Sequence, residues 1–199
     1  MSPSEIQRFD NEILKRQVVP PDLRALLNVA RSAGDIDPLR EALGFSLLVP
    51  GHDYPLLTGS YLNDSDRQNP DIVANVAAIS NVVVLTTIVA ESEDGDMIGY
   101  WHGLERTPIG KAPIVKLDTE GMFCLMQGRS LSEAMLGNDT FDDAERFAGA
   151  RAWLASCGIE IEAMNWRELS TPEASTRSDK LHDLLSEQKR IAAGSKAGD

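Results

Sequence analysis

The chain has 199 residues, 42% of them hydrophobic, with a formal charge of −12 and a pI of about 4.7. Length and apolar content suit one domain with its own core, and the charge works against nucleic acid or an anionic membrane as a direct partner. No run approaches the ~18 apolar residues that argue for a membrane-spanning helix, and residues 1–5 lack the basic-then-apolar order of a secretory leader, so the chain reads as cytoplasmic.

Ile6, Phe9, Ile13 and Leu14 recur at helical spacing and predict a helix over 4–17, stopped by Pro20-Pro21. Pro21 opens a second helix lined by Leu23, Leu26, Leu27 and Ala30, with Gly34 as its breaker, and Asp37-Pro38 starts a short third one. Residues 45–49 predict a strand, 52–68 a loop, and Asn69-Pro70 the start of a helix carrying Ile72, Val73, Val76 and Ile79.

The stretch 82–136 organises the rest. The apolar run 82–90 predicts a strand covered on both faces. Asp94-Gly95 predicts a two-residue type I′ turn that pairs this run with a strand over 97–101. Residues 112–117 and 122–126 predict two further strands, joined by a type I turn over 118–121 with Gly121 left-handed. Pro113 belongs at a strand start or edge, for want of an N–H. Ser130 and Glu133 form a capping box for a short helix through Leu136. Thr140 or Asp142 caps a longer helix through Cys157, and 159–164 predicts a last strand with Glu160 and Glu162 facing outward.

These elements define an α+β fold: a mostly antiparallel sheet of about five or six strands with helices packed on it, and a C-terminal helical extension. The domain spans residues 1–169, and residues 170–199 form a peripheral helix or flexible tail. The body holds 14 Lys and Arg against 26 Asp and Glu, whereas 170–199 holds five of each. The acidity of the body therefore either serves solubility or meets a basic partner.

Catalytic signatures are missing from the sequence: no G-x-S-x-G, phosphate-binding loop, dinucleotide fingerprint or zinc spacing occurs. No cofactor is implied. His182 lies on the tail and reads as solvent exposed, and His52 reads as a loop residue. Cys124 and Cys157 lie in apolar segments and read as two buried, unbridged thiols. The candidate contact residues lie at strand ends: Glu93, Asp94 and Asp96 in one turn, Asp118 and Glu120 in another, and Trp101 with His102 and Glu105 at a strand terminus. Two contact surfaces are possible, and the one containing Trp101, an aromatic with a carboxylate rim, is favoured, with burial of Trp101 in the core as the equal alternative.

The order of elements carries a resemblance. Pro20-Pro21-Asp22-Leu23-Arg24-Ala25-Leu26-Leu27 is followed by the Asp94-Gly95 hairpin with Gly99-Tyr100-Trp101. Then come residues 112–121 and Ser130-Leu131-Ser132-Glu133-Ala134-Met135-Leu136. Over about residues 20–136 this resembles the SUKH superfamily of cell-wall assembly regulators, Syd-like proteins and bacterial immunity proteins. The resemblance implies helices on a mostly antiparallel sheet and a non-enzymatic binding protein, many members neutralising toxins, often nucleases; the acidic body would then mask a basic one. It transfers no catalytic residues. Two other functions compete with it: a regulatory or scaffold module, and a small hydrolase using the turn carboxylates with His102.

Overall fold

The computed structural model describes residues 1–32, 37–138 and 141–192; Gly34 and Thr140 fall outside them. The sheet is a meander. β1 (Phe45–Leu47), β2 (Thr86–Ser92), β3 (Met97–Trp101), β4 (Ile114–Leu117) and β5 (Phe123–Leu125) pair in chain order, each neighbour antiparallel. Among the described residues α-helices surround these five strands, so the fold is α+β.

Both faces of the sheet are covered. All five residues of β3 are buried, as are the first five of β2. Ile98 and Tyr100 turn toward α2 (Pro21–Ser32), whose Asp22 lies close enough to act on the Tyr100 phenol. Met97, Gly99 and Trp101 turn the other way, toward α6 (Pro70–Val83) and α9 (Ser178–Ala192). On the first face α2 also meets α3 (Pro38–Leu43) and α7 (Leu131–Leu136), and α7 and α3 meet α8 (Ala144–Ser156). On the second face α6 and α9 pack along each other, with short helices α4 (Pro55–Thr58) and α5 (Asp64–Gln68) beside α6.

The first helix solves a spacing problem. Phe9 and Leu14 are both fully buried, yet five residues of α-helix would point them about 140° apart. The chain is α-helical over α1 (Pro3–Arg8), then widens to a π-helix over Phe9–Ile13, with Leu14 N–H donating to the Phe9 carbonyl at 3.0 Å. This i→i+5 turn brings both side chains to one face. Lys15 and Arg16 then take left-handed φ of 51° and 60° and end the helix before the expected Gln17.

Several expectations are corrected. Val82 and Val83 belong to α6, not to a strand. Val82 continues the buried row Ala74, Ala78, Ile79 at helical spacing, and β2 begins only at Thr86, whose hydroxyl donates to the Val82 carbonyl at 3.0 Å. The loop 52–68 contains α4 and α5. Asn69 and Pro70 do open α6, the Asn69 side chain accepting from Asp71 and Ile72 N–H. The cap of α8 is Asp143, which accepts from Arg146 N–H at 2.8 Å, not Asp142. Ser130 caps α7, but the Glu133 carboxylate reaches Arg129 N–H rather than closing a box on Ser130. Residues 159–164 alternate as expected, Ile159 and Ile161 in and Glu160 and Glu162 out, but they join no strand.

The C-terminal part is docked as far as Ala192. Ser170 accepts from Gly128 N–H at 2.8 Å, and Thr176 accepts from the Trp101 indole at 2.7 Å. His182, expected in solvent, is only 4% exposed and stacks 5.7 Å from the Phe123 ring. The inward row of α9 is Ser178, Leu181, His182 and Leu185, while Leu184 and Ile191 of the expected stripe point out. Cys124 is exposed on the edge strand and Cys157 half-buried, so the expectation of two buried thiols does not hold; both are free.

Candidate functional site

The meander sorts the eight candidate residues into two groups. Consecutive antiparallel strands alternate direction, so the β2–β3 and β4–β5 turns share one end of the sheet. Trp101, His102 and Glu105 lie at the other, about 17 Å away along the five residues of β3.

The two turns are built alike. In the first, Gly95 N–H donates to Ser92 O and Ser92 N–H to Asp96 O, with Gly95 at φ 87°. Asp94 keeps a negative φ, so this is a type I turn closed by a left-handed glycine, not the two-residue type I′ turn expected. In the second, Gly121 N–H donates to Asp118 O and Asp118 N–H to Met122 O, with Gly121 at φ 85°, as the sequence implies. Asp118 Oδ1 accepts from Glu120 and Met122 N–H at 3.0 and 2.8 Å, which fixes that loop. The turns touch: a carbon placed on Gly95 would meet Thr119 Cγ2 at 3.5 Å.

This contact gathers Glu93, Asp94, Asp96, Asp118 and Glu120 on one surface. Two cations answer part of the charge. Lys116 Nζ lies 3.2 Å from Asp96 Oδ2, and Arg40 lies 3.4 Å from Glu93 across an exposed gap. Partial burial presses the Lys116 ammonium down, but the hydrogen bond and charge of Asp96 outweigh it and hold its pKa above the ordinary lysine value. Asp94, Asp118 and Glu120 form no ion pair among the described residues, so their field reaches solvent.

At the other end Trp101 is 2% exposed. It is the buried reading that holds, and its indole N–H is spent on the Thr176 carbonyl. Thr176 Oγ1 in turn donates to Glu105 Oε1 at 2.7 Å, and that bond lowers the Glu105 pKa. Trp101 and Glu105 therefore clamp the segment that leads into α9. His102 Nδ1 is 2.6 Å from the Thr107 carbonyl, which can only accept, so Nδ1 carries a proton. In the neutral ring Nε2 accepts from Thr87 Oγ1 at 2.7 Å, and Thr87 accepts from Gln17 Nε2 at 3.1 Å. Gln17 and Thr87 escaped notice in the sequence because 70 residues separate them.

The geometry does not bring His102 to the turn carboxylates, so the hydrolase combination has no common centre. Cys124 faces Lys116 across the β4–β5 pair; partial desolvation of its sulfur pushes the thiol pKa up, against the pull of the Lys116 charge. Among the described residues no three His, Cys, Asp or Glu side chains converge as metal ligands, and no helix is long and apolar enough to cross a membrane. No family model matches the chain, and neither does any curated protein or solved structure.

Proposed function

We propose that this chain is a non-enzymatic, immunity-type binding protein that masks a basic protein partner, a nuclease toxin in the first instance, inside the cytoplasm. The reading rests on its resemblance to the SUKH superfamily, and one observation carries it further: two independent turns of the same build meet and present unpaired carboxylates from one end of the sheet. Preformed loops on rigid strands lose little entropy on binding, and like charges held together are stabilised by a partner that brings the opposite sign. Asp94 and Glu120 would steer the encounter, and Asp118 would hold its loop in the binding shape.

The test is co-expression with a catalytically impaired basic nuclease toxin encoded beside this chain, followed by capture of the complex and assay of the active toxin. The expected result is a stoichiometric complex in which nuclease activity is lost. A toxin that remains fully active and unbound would remove the proposal. Purified chain that hydrolyses substrates by itself would also remove it.

A further inference from the structure

The end of the sheet opposite the acidic turns carries two adjoining clefts that the immunity reading leaves unused. The larger, about 830 Å³, lies between residues 16–24 and 108–111. The smaller, about 260 Å³, lies between Lys15, Gln17, residues 84–87 and the loop 102–108. Gln17 and Pro108 line both, so the clefts run into each other.

Three features coincide there. First, in a chain of charge −12, Lys15, Arg16, Arg24, Arg106 and Lys111 line the clefts, no carboxylate does, and none of the five forms an ion pair among the described residues. Two carboxylates stand nearby without lining the clefts, Asp22 accepting from Ser132 and Glu105 from Thr176, so the five cations outnumber them. Second, the two most exposed large apolar side chains among the described residues, Val18 at 83% and Val84 at 76%, line one cleft each. Third, the only non-glycine residues with left-handed backbone among the described residues are Lys15, Arg16 and Arg106, all three cleft cations. Such conformations persist where the surroundings impose them, and they cluster at binding sites.

We propose that this end binds an acidic, amphipathic peptide segment of a partner protein. Its apolar side chains seat on Val18, Val19 and Pro21, and its carboxylates meet Arg16, Arg24 and Lys111. Nucleic acid fits less well, since a long polyanion feels the negative charge of the whole chain and has no use for the apolar floor. A short peptide feels mainly the local cations, because charges beyond about 8 Å are screened at physiological salt. This site is separate from the acidic turns and does not depend on the toxin reading.

Fluorescence anisotropy with a short fluorescein-labelled peptide of alternating glutamate and leucine tests it on the full chain. The expected result is saturable binding that weakens with salt and falls at least about tenfold in the double variant R24E/K111E. The same peptide with glutamine for glutamate should bind at least about tenfold more weakly, and R146E, on α8, should change nothing. Both double-variant positions are exposed, and unchanged circular dichroism and melting temperature verify the fold. Equal binding of the glutamine peptide, insensitivity to R24E/K111E, or tighter binding of a single-stranded oligonucleotide than of the peptide would each overturn the proposal. Salt-sensitive self-association that excludes the peptide would overturn it in favour of a second copy of this chain.

Discussion

The two ends of the meander are made of the same strands and differ in how they use charge. At the turn end, carboxylates sit on tight loops that the backbone itself closes. Ser92 and Asp118 each accept from a left-handed glycine, and the side chains of Asp94 and Glu120 are left to solvent. At the far end, the polar groups of Trp101 and His102 are consumed inside the protein, Glu105 is tied to Thr176 at the surface, and most of the free charges are cations brought in from two distant segments. The contrast teaches that an aromatic flanked by polar residues in a strand is not by itself a contact centre. A Trp at the end of a central strand, covered on both faces, is first a packing residue.

The strongest way to sharpen this contrast is Trp101→Ala. Truncating a fully buried Trp costs roughly 3–5 kcal/mol, and the Thr176 carbonyl also loses its donor. Denaturant unfolding should show a loss of that order, with the C-terminal segment freed to proteolysis. A stable variant impaired only in partner binding would reverse the assignment of Trp101 to the core.

A smaller loss is expected from Gly99→Ala. Gly99 lies opposite a bulge in β2, and a carbon on it would sit 2.5 Å from the Thr87 carbonyl oxygen and 2.7 Å from Ile88 Cα. Overpacking against backbone costs about 1–3 kcal/mol, read from the same unfolding curves. The loss should fall on both ends equally, because β3 carries both.

Acid should loosen the helical face through His182. Burial lowers its pKa below the ordinary 6.5, with only the Asp183 carboxylate 3.9 Å away to oppose this, and Phe123 covers the ring. The unfolded chain therefore binds a proton that the folded chain refuses. Stability is full above pH 6.5 and falls as the pH drops below it. Melting temperatures from pH 7.5 downward should show this fall, and His182→Phe should flatten it; an unchanged slope would assign it to other groups.

The smallest stability effects belong to the acidic turns. Asp118→Ala removes an acceptor for two backbone N–H groups and should cost about 1 kcal/mol. Asp94→Asn should stay within about 0.5 kcal/mol. Their effects on association should run the other way, large for charge and small for fold.

Local chemistry was legible in the sequence. Asn69-Pro70, Asp37-Pro38, the Gly121 turn and the Ser130 cap each fix a few neighbouring residues, and each stands where the pattern places it. Boundaries between apolar elements were not legible. Val82 and Val83 suit a strand as well as a helix, and only packing along Ala74, Ala78 and Ile79 decides. Ile159 and Ile161 alternate like a strand but find no partner edge. Of the candidate site, the shared end of the two turns follows from strand order, which no local pattern encodes. The cationic clefts depend on segments some ninety residues apart, Lys15 to Arg24 and Arg106 to Lys111.

The most direct measurement is the association rate with the basic toxin, by stopped flow across a salt series, for the parent chain, D94N/D118N/E120Q and R24E/K111E. The account predicts fast association that slows steeply with salt in the parent. The acidic-turn triple variant should associate about tenfold more slowly with a shallower salt dependence, while R24E/K111E keeps the parent rate or exceeds it. Equal rates and equal salt slopes for the parent and the triple variant would contradict the claim that the acidic end is the binding surface.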